Sequence, residues 1–409
     1  MNNSPELFTK EAMFKSNPKW DQSITRTDIL YERPDDVRTP FSRDYNRILH
    51  CKAYRRLKHK TQVFFATTND HICTRIEHVN HVAAISYTIS KYLGLNTQLS
   101  NAIALGHDLG HTPFGHAGEN ILKQIARDEL GLDFWHEKNS LRFIDFCETL
   151  EGPDGMHYNL NLTYAVRDGI ISHCGEVSEN GLKPRDAIVD LQSIERKNQY
   201  QPYTWEGCVV KIADNIAYLG RDIEDARSLQ ILSFPQIREL GYLIRKYRES
   251  VKLHDINNTV VIHKFVTDLC KNSSPDNGIG LSDAGFELMK VLKSFSYDYI
   301  YEHPRLKAYT EYAELIILTI YNTLSTYFER ADSLAALSRD RRMYPILIDS
   351  FSEWLIKYGV QDKRNPRLKN KIIYDLTDDK DYKHAIIDYI SCMTDSYAIS
   401  IFQELTSFR

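Results

Sequence analysis

No CxxC pair occurs in this sequence; its seven cysteines, Cys51, Cys73, Cys147, Cys174, Cys208, Cys270 and Cys392, are odd in number and scattered. That spacing excludes a thiolate zinc site and a disulfide framework, and fits reduced thiols in a cytoplasmic protein. Long apolar runs are missing too. The longest strongly apolar stretch, Leu315 to Tyr321 with Thr319 inside it, falls well short of the roughly 18 residues that a membrane span needs. The opening MNNSPELFTKEAMFK has no apolar core of a secretory signal, so no membrane partner is expected. Positive charge is not in excess either: 51 Lys and Arg face 55 Asp and Glu, a net charge of −4. A site for nucleotide or nucleic acid must then be a local basic patch. Sustained alternation of apolar and polar residues is absent, as is an NG or DG turn between two β-like runs. Repeats and low-complexity tracts are absent as well. What remains is 409 residues, 42% of them hydrophobic, enough for a large core.

The periodicity that is present is helical. Val79, Val82, Ala83, Ser86 and Ile89 share one stripe; Leu141, Phe143 and Ile144, with Leu150 further on, suggest a second. Leu315, Leu318, Tyr321 and Leu324 form another. An all-α chain is the economical reading. Three polar stretches interrupt it: Glu176 to Thr204, Lys271 to Ala284, and Gly359 to Asn370. The first looks like an inserted arm. None has the length or simplicity of a linker between independent domains. The expected layout is a site-bearing region, residues 1–235, with a helical C-terminal region, residues 236–409, packed on it as one compact unit.

The segment IALGHDLGHTPFGHAGE, from Ile103 to Glu119, has a composition that no core helix needs. Upstream, TRIEHVNHVA places His78 on an amphipathic helix; downstream, VVKIADNIAYLGRDIEDA places Asp214 on another. With His107 and Asp108 these make two imidazoles and two carboxylates from three helices. Such a mixed nitrogen and oxygen set suits an octahedral divalent ion with open positions: Mn²⁺, Fe²⁺, Co²⁺ or Mg²⁺. Adjacent helical side chains diverge by about 100°, so His107 and Asp108 share a partner only when an ion sits at the rim between them. Gly106 and Gly110 would leave room for a ligand beside the pair, and Pro113 would turn the chain so that His116 swings back. The i, i+4 pair His107 and His111 also suggests the HExxH peptidase motif. That motif needs a glutamate where Asp108 stands, and a helix that Gly110 weakens.

H…HD…D at this spacing resembles the HD-domain metal-dependent phosphohydrolases. Within them AYRRLKHKTQVF, TRIEHVNHVA, ALGHDLGHTPFGHAGE, FWHEKNSLRF and KIADNIAYLGRDIEDA resemble the deoxyguanosinetriphosphate triphosphohydrolase-type dNTPases. The likeness runs from about Arg43 to Asp225 and more thinly through YEHPRL (301–306) and DYISCMTDSYA (388–398). It implies an all-α HD-domain helical bundle with additional C-terminal helices, and one divalent metal per chain. The activity implied is hydrolysis of a dNTP at the α-phosphorus to deoxynucleoside and inorganic triphosphate. The metal ligands it implies are His78, His107, Asp108 and Asp214. His116 and Glu119 take the catalytic positions, and their i, i+3 spacing independently lets the carboxylate orient the imidazole. His111, His136 and Arg75 are implied to lie against phosphates, Gln62 against the sugar. Asp214, Tyr218 and Asp222, spaced i, i+4, i+8, form one stripe. On it the resemblance implies that Tyr218 excludes a 2′-hydroxyl and Asp222 accepts from the 3′-hydroxyl; ordinary core is the alternative for Tyr218.

Seven Lys and Arg between Arg43 and Lys60, with Ile48, Leu49, Tyr54 and Leu57 opposite, suggest an amphipathic helix with a cationic face. That face would be a solvated surface, a wall for the triphosphate, a regulatory nucleotide site or a single-strand groove. The expected partners are the dNTP, with an activating dNTP or single-stranded DNA as further candidates, and further copies of the chain in a hexamer or tetramer. Another HD-type activity, a nucleotide phosphatase or phosphodiesterase, is the nearest rival. A non-catalytic nucleotide or single-stranded-DNA sensor would have lost a ligand or the His116–Glu119 pair, and this chain has both.

Overall fold

A computed structural model describes residues 7–31, 35–65, 71–173, 179–246, 258–360 and 362–407. Cys174 and the first three residues of the arm, 176–178, lie outside the described residues. In chain order the helices are α1 (Trp20–Ser23), α2 (Pro40–His50), α3 (Lys52–Arg56), α4 (Arg75–Leu93), α5 (Thr97–Gly106), α6 (Gly115–Leu130), α7 (His136–Arg142), α8 (Tyr164–Ser172) and α9 (Trp205–Ser228). The C-terminal region adds α10 (Phe234–Lys246), α11 (Asn258–Asn272), α12 (Asp283–Ser296), α13 (Pro304–Ser325), α14 (Ser333–Arg339), α15 (Pro345–Gly359), α16 (Asp379–Ser391) and α17 (Asp395–Thr406). The expected all-α class holds. One small hairpin, β1 (Thr149–Glu151) against β2 (His157–Asn159), is the exception, and it escaped the sequence reading because three-residue strands carry no period.

Local chemistry explains the central helices. At the start of α4 a capping box joins Thr74 and Glu77, with the Thr74 amide 2.7 Å from Glu77 Oε2. Gly94 ends it at φ 80°, the left-handed conformation that a helix C-cap favours. Asn96 then caps α5, accepting from the amides of Gln98 and Leu99. Thr204 caps α9 through the Gly207 amide at 3.1 Å. Helix α5 packs on α2, α4, α8 and α9, so it is the spine that the others surround.

The stripe Val79, Val82, Ser86, Ile89 is buried as expected. The stripe on α13 needs correcting: Leu315 is 55% exposed, and the buried face is carried by Ile316, Ile317, Ile320, Tyr321 and Leu324. Tyr321 and Leu324 of the expected stripe are buried and Leu318 partly so, and packing on α6, α16 and α17 turns Leu315 alone outward. The expected single basic helix is also corrected. The chain breaks at Cys51, whose extended backbone separates α2 from α3, and a 3₁₀ turn, Leu57–His59, follows. Arg43 and Lys60 are buried, Arg56 pairs with Glu148 at 2.7 Å, and Arg47 donates to the Leu160 carbonyl at 2.6 Å. Lys52, Arg55 and Lys58 remain on the exposed side.

The polar stretches dock rather than dangle. Leu182 in the arm exchanges two 2.8 Å backbone hydrogen bonds with Ile279 in the second stretch. His157 of β2 does the same with Arg367 and Lys369 in the third, both at 2.8 Å. The arm is further pinned at Asp168 of α8, whose buried carboxylate accepts from Arg185 and from the Tyr203 amide at 2.6 Å.

Candidate active site

Helices α4, α5 and α9 converge where the four expected ligand side chains meet. His78 sits one turn into α4, Asp214 midway along α9, and His107 caps α5 with Asp108 in the turn just beyond. His107 keeps helical backbone angles, φ −61° and ψ −38°, as the C-cap of α5, and Asp108 lies in the turn that follows. His107 Nε2 lies 3.4 Å from Asp108 Oδ1 and 3.8 Å from Asp214 Oδ1, and His78 Nε2 lies 2.9 Å from Asp214 Oδ1.

The glycines beside the pair have another task than the one expected. A Cβ on Gly106 would fall 2.4 Å from Ile170 Cδ1, and one on Gly110 would fall 2.1 Å from the Ser140 amide nitrogen. They let α8 and α7 approach the α5 end, so the space beside them holds protein, not ligand.

His107 Nδ1 is 2.7 Å from the Ala104 carbonyl, which only accepts, so Nδ1 carries the hydrogen and Nε2 presents a lone pair. That buried Nε2 has no hydrogen-bond partner among the described residues. A lone pair facing two carboxylates in a buried site lacks one thing, a cation. The donor set therefore fits a divalent metal. Burial works to raise both carboxyls, yet the charged Arg75 beside Asp108 keeps that carboxyl well below the usual range, and the His78 hydrogen bond holds Asp214 at about 2.

Arg75 supports this set from behind. Its Nη1 donates to Asp108 Oδ2 at 2.9 Å and lies 2.9 Å from His111 Nε2. Its Nε and Nη2 donate to the carbonyls of Thr61 and Gln62, each at 3.2 Å. The expected phosphate residue is thus 2% exposed and tied to a candidate ligand. Gln62 is buried beside it, its Oε1 without a partner among the described residues.

The outer wall is a histidine group organised by one carboxylate. Glu119 Oε2 accepts from His136 Nδ1 at 2.9 Å and lies 3.4 Å from His116 Nδ1. The sequence reading paired Glu119 with His116 alone; the closer partner is His136. His111 stacks on His136 with centroids 3.8 Å apart. One ring is charged and the other neutral. Burial opposes it, but Glu137 and Glu119 raise His136 to about 9, whereas burial and Arg75 drive His111 well below its usual value. His116 is the open member, its side chain 64% exposed.

Helix α6, which carries His116 and Glu119, begins after Phe114 in a left-handed conformation, φ 64°. A non-glycine residue there costs roughly 1–2 kcal/mol, so surrounding contacts must hold it.

Along α9 the stripe Asp214, Tyr218, Asp222 is present. The Tyr218 hydroxyl donates to Asn215 Oδ1 at 3.2 Å, and the ring is half-buried against the core. Asp222 accepts from the Tyr301 hydroxyl at 2.6 Å, and burial lifts its carboxyl to about 6.

Three residues at the site were missed. His173 follows α8, its ring 4.9 Å from His107, with Nδ1 donating to the Ile170 carbonyl at 2.6 Å. Burial, then His107, lowers it to about 3, so it is neutral. Lys197 comes from the arm, 3.1 Å from Glu119 Oε1. Tyr301 comes from the C-terminal region. Each arrives by a long-range crossing, and the one signal in sequence was the YEHPRL block around Tyr301.

Comparison with known proteins agrees with this geometry. An HD domain matches residues 75–219, and a phosphohydrolase-associated domain matches residues 353–404. A deoxyguanosinetriphosphate triphosphohydrolase-like protein of Desulfatibacillum aliphaticivorans is 38% identical over 67% of this chain and 70% of its own. Proteins of the same description from Caldanaerobacter subterraneus subsp. tengcongensis and Pelagibacter ubique are 30% and 31% identical. Both matches cover 91% of this chain, and 87% and 95% of theirs. Among the described residues no helix is long and apolar enough to cross a membrane.

Proposed function

The chain belongs to the deoxyguanosinetriphosphate triphosphohydrolase-like family of HD-domain phosphohydrolases, and on that premise we propose that it hydrolyses a dNTP at the α-phosphorus. The products are the deoxynucleoside and inorganic triphosphate. The observation that carries the metal requirement is the orphaned His107 Nε2 facing Asp108 and Asp214. In this reading His78, His107, Asp108 and Asp214 hold one divalent ion, Mn²⁺, Mg²⁺, Fe²⁺ or Co²⁺. Such an ion supplies polarisation of the α-phosphate and lowers the pKa of an attacking water.

The protein's own part is charge placement and proton transfer. His116, open to the cleft, gives a proton to the 5′-oxygen as that oxygen leaves phosphorus with the bonding pair, while the water oxygen bonds to phosphorus and its proton passes to solvent. Glu119, 3.4 Å from its Nδ1, orients the ring so that Nε2 does this work. The His136 cation and Lys197 spread the charge of the triphosphate, and His111, set by Arg75, presents a neutral ring beside them. Tyr218 and Asp222 read the sugar from α9, with Gln62 opposite. Residues 1–235 carry the metal centre, and residues 236–409 close it from outside. On the family premise the assembly is a hexamer or tetramer, which sedimentation reads directly.

The test is incubation with each dNTP and Mn²⁺ or Mg²⁺, followed by chromatography. Deoxynucleoside with intact triphosphate is the expected pair. Orthophosphate or pyrophosphate in its place would move the protein to another HD activity.

A further inference from the structure

The C-terminal block DYISCMTDSYA has no place in the chemistry above, yet it enters the active site from behind. Asp395, the first residue of α17, is 4% exposed. Its Oδ2 accepts from the Thr61 amide at 2.9 Å and its Oδ1 from the Phe114 amide at 2.8 Å. Each amide leads to a different half of the site. The Thr61 and Gln62 carbonyls receive Arg75, and Arg75 holds Asp108. Phe114 is the left-handed residue from which α6 starts, two positions before His116. A second tether runs beside the first. Buried Lys60 donates to the carbonyl of His111 and, at 2.9 Å, to that of Ser391, the last residue of α16.

We propose that Asp395 is a positioning residue, a two-armed clamp by which the C-terminal region sets the spacing between the Arg75–Asp108 pair and the His116 helix. Two observations make it more than a packing contact. Its two oxygens are divided between two segments 53 residues apart, Thr61 and Phe114, so one carboxylate fixes one distance. And one of the amides is that of Phe114, whose left-handed backbone, φ 64°, is held by its surroundings, the Asp395 carboxylate among them. The clamp gives the phosphohydrolase-associated segment, 353–404, a task in the reaction.

Asp395→Asn tests it, because an amide keeps the shape but presents an N–H₂ to one of the two backbone donors. Asp388→Asn is the control, since that equally buried carboxylate of α16 accepts from Arg142 and Tyr374, both at 2.6 Å, away from the site. Hydrogen exchange by mass spectrometry is followed in peptides containing Thr61 and Phe114, with kcat, KM and melting temperature. Expected for Asp395→Asn are faster exchange in both peptides and kcat lower by roughly 10²-fold, the cost of a misplacement of about 1 Å. KM and metal content should stay near wild type. Expected for Asp388→Asn is a lower melting temperature with kcat unchanged. Wild-type exchange at Thr61 and Phe114 overturns the proposal. So does a wild-type kcat in Asp395→Asn, or an equal kcat loss in both variants. The kinetic arm rests on the function proposed above. If wild type itself hydrolyses no dNTP, that function fails, and the exchange arm, which uses no substrate, still decides the clamp.

Discussion

His78 Nε2 lies 2.9 Å from Asp214 Oδ1, and this one contact joins α4 to α9 at the centre of the site. On the proposed function both groups would serve one divalent ion. Metal binding should therefore stabilise the folded chain by linkage, about 2.7 kcal/mol at a metal concentration of 100 Kd. Thermal unfolding across a Mn²⁺ titration reads this as a rising Tm. His107→Ala should flatten the response and empty the site of metal on purification, and Asp108→Ala likewise, with turnover lost in both. A variant with wild-type metal content and rate would remove its residue from the ligand set.

Chemistry separates from metal binding at the outer wall. His116→Ala should lower kcat by roughly 10²–10⁴-fold with metal occupancy intact, since its ring is the exposed one and contacts no candidate ligand. Glu119→Gln should do more than weaken His116, because the carboxylate also supports the raised pKa of His136. The expected signature is a loss in kcat accompanied by a higher KM, as the ring proposed to face the triphosphate loses its charge. Metal lost from both variants would merge the two roles.

Far from the site, Glu206 makes a prediction about stability. Its Oε1 accepts from the amides of Met13 and Asn96, both at 2.9 Å, while Oε2 is buried without a partner. Burial raises its carboxyl to about 6 from an ordinary 4.5. The folded state thus binds the proton more tightly than the unfolded one. The penalty for ionising is absent below about pH 4.5, grows as pH rises through about 6, and is then constant near 2 kcal/mol. Glu206→Gln keeps the accepting oxygen and removes the charge. It should raise Tm at pH 8 and change it little at pH 5; the opposite order would show Glu206 to be stabilised as the carboxylate.

How much of this was legible in sequence follows from the range of each contact. As candidates, His78 and Asp214 could be read from their place in periodic helical segments, and His107 and Asp108 from a composition beside Gly106 and Gly110 that no core helix needs. The outer wall was legible only in part. His116 and Glu119 share a helix, so their spacing spoke, but the closer Glu119 partner, His136, comes from α7 across a loop. His173 and Lys197 gave no signal, since an isolated His after an apolar helix and a Lys in a polar arm acquire meaning only when α8 crosses α5 and the arm is pinned at Asp168. The glycines misled for the same reason: absent side chains look alike in sequence whether a ligand or a helix fills the space. The basic run from Arg43 to Lys60 misled because charge count does not reveal that Arg47, Arg56 and Lys60 find carbonyls and a carboxylate inside.

The α9 wall carries the sharpest test of substrate class. Tyr218 stands one turn beyond Asp214, half-buried, its hydroxyl on Asn215 of the same helix. That bond holds the hydroxyl on its own helix, and on the proposed function the ring faces the sugar. Asp222, a further turn on, accepts from the Tyr301 hydroxyl, and on the proposed function its carboxylate also meets the sugar. On the proposed function a ring packed against the 2′ position rejects ribonucleotides sterically, whereas Asp222 would act on every dNTP alike. Tyr218→Ala should shrink the ratio of kcat/KM for a dNTP over its rNTP partner by at least about tenfold, roughly 1.4 kcal/mol. Asp222→Ala should lower kcat/KM for all dNTPs and leave that ratio nearer to wild type. Since α9 is anchored by many buried residues on its other faces, loss of one half-buried ring should leave the helix folded, and circular dichroism checks this. A folded Tyr218→Ala enzyme with an unchanged ratio would return the ring to the core and place sugar discrimination elsewhere.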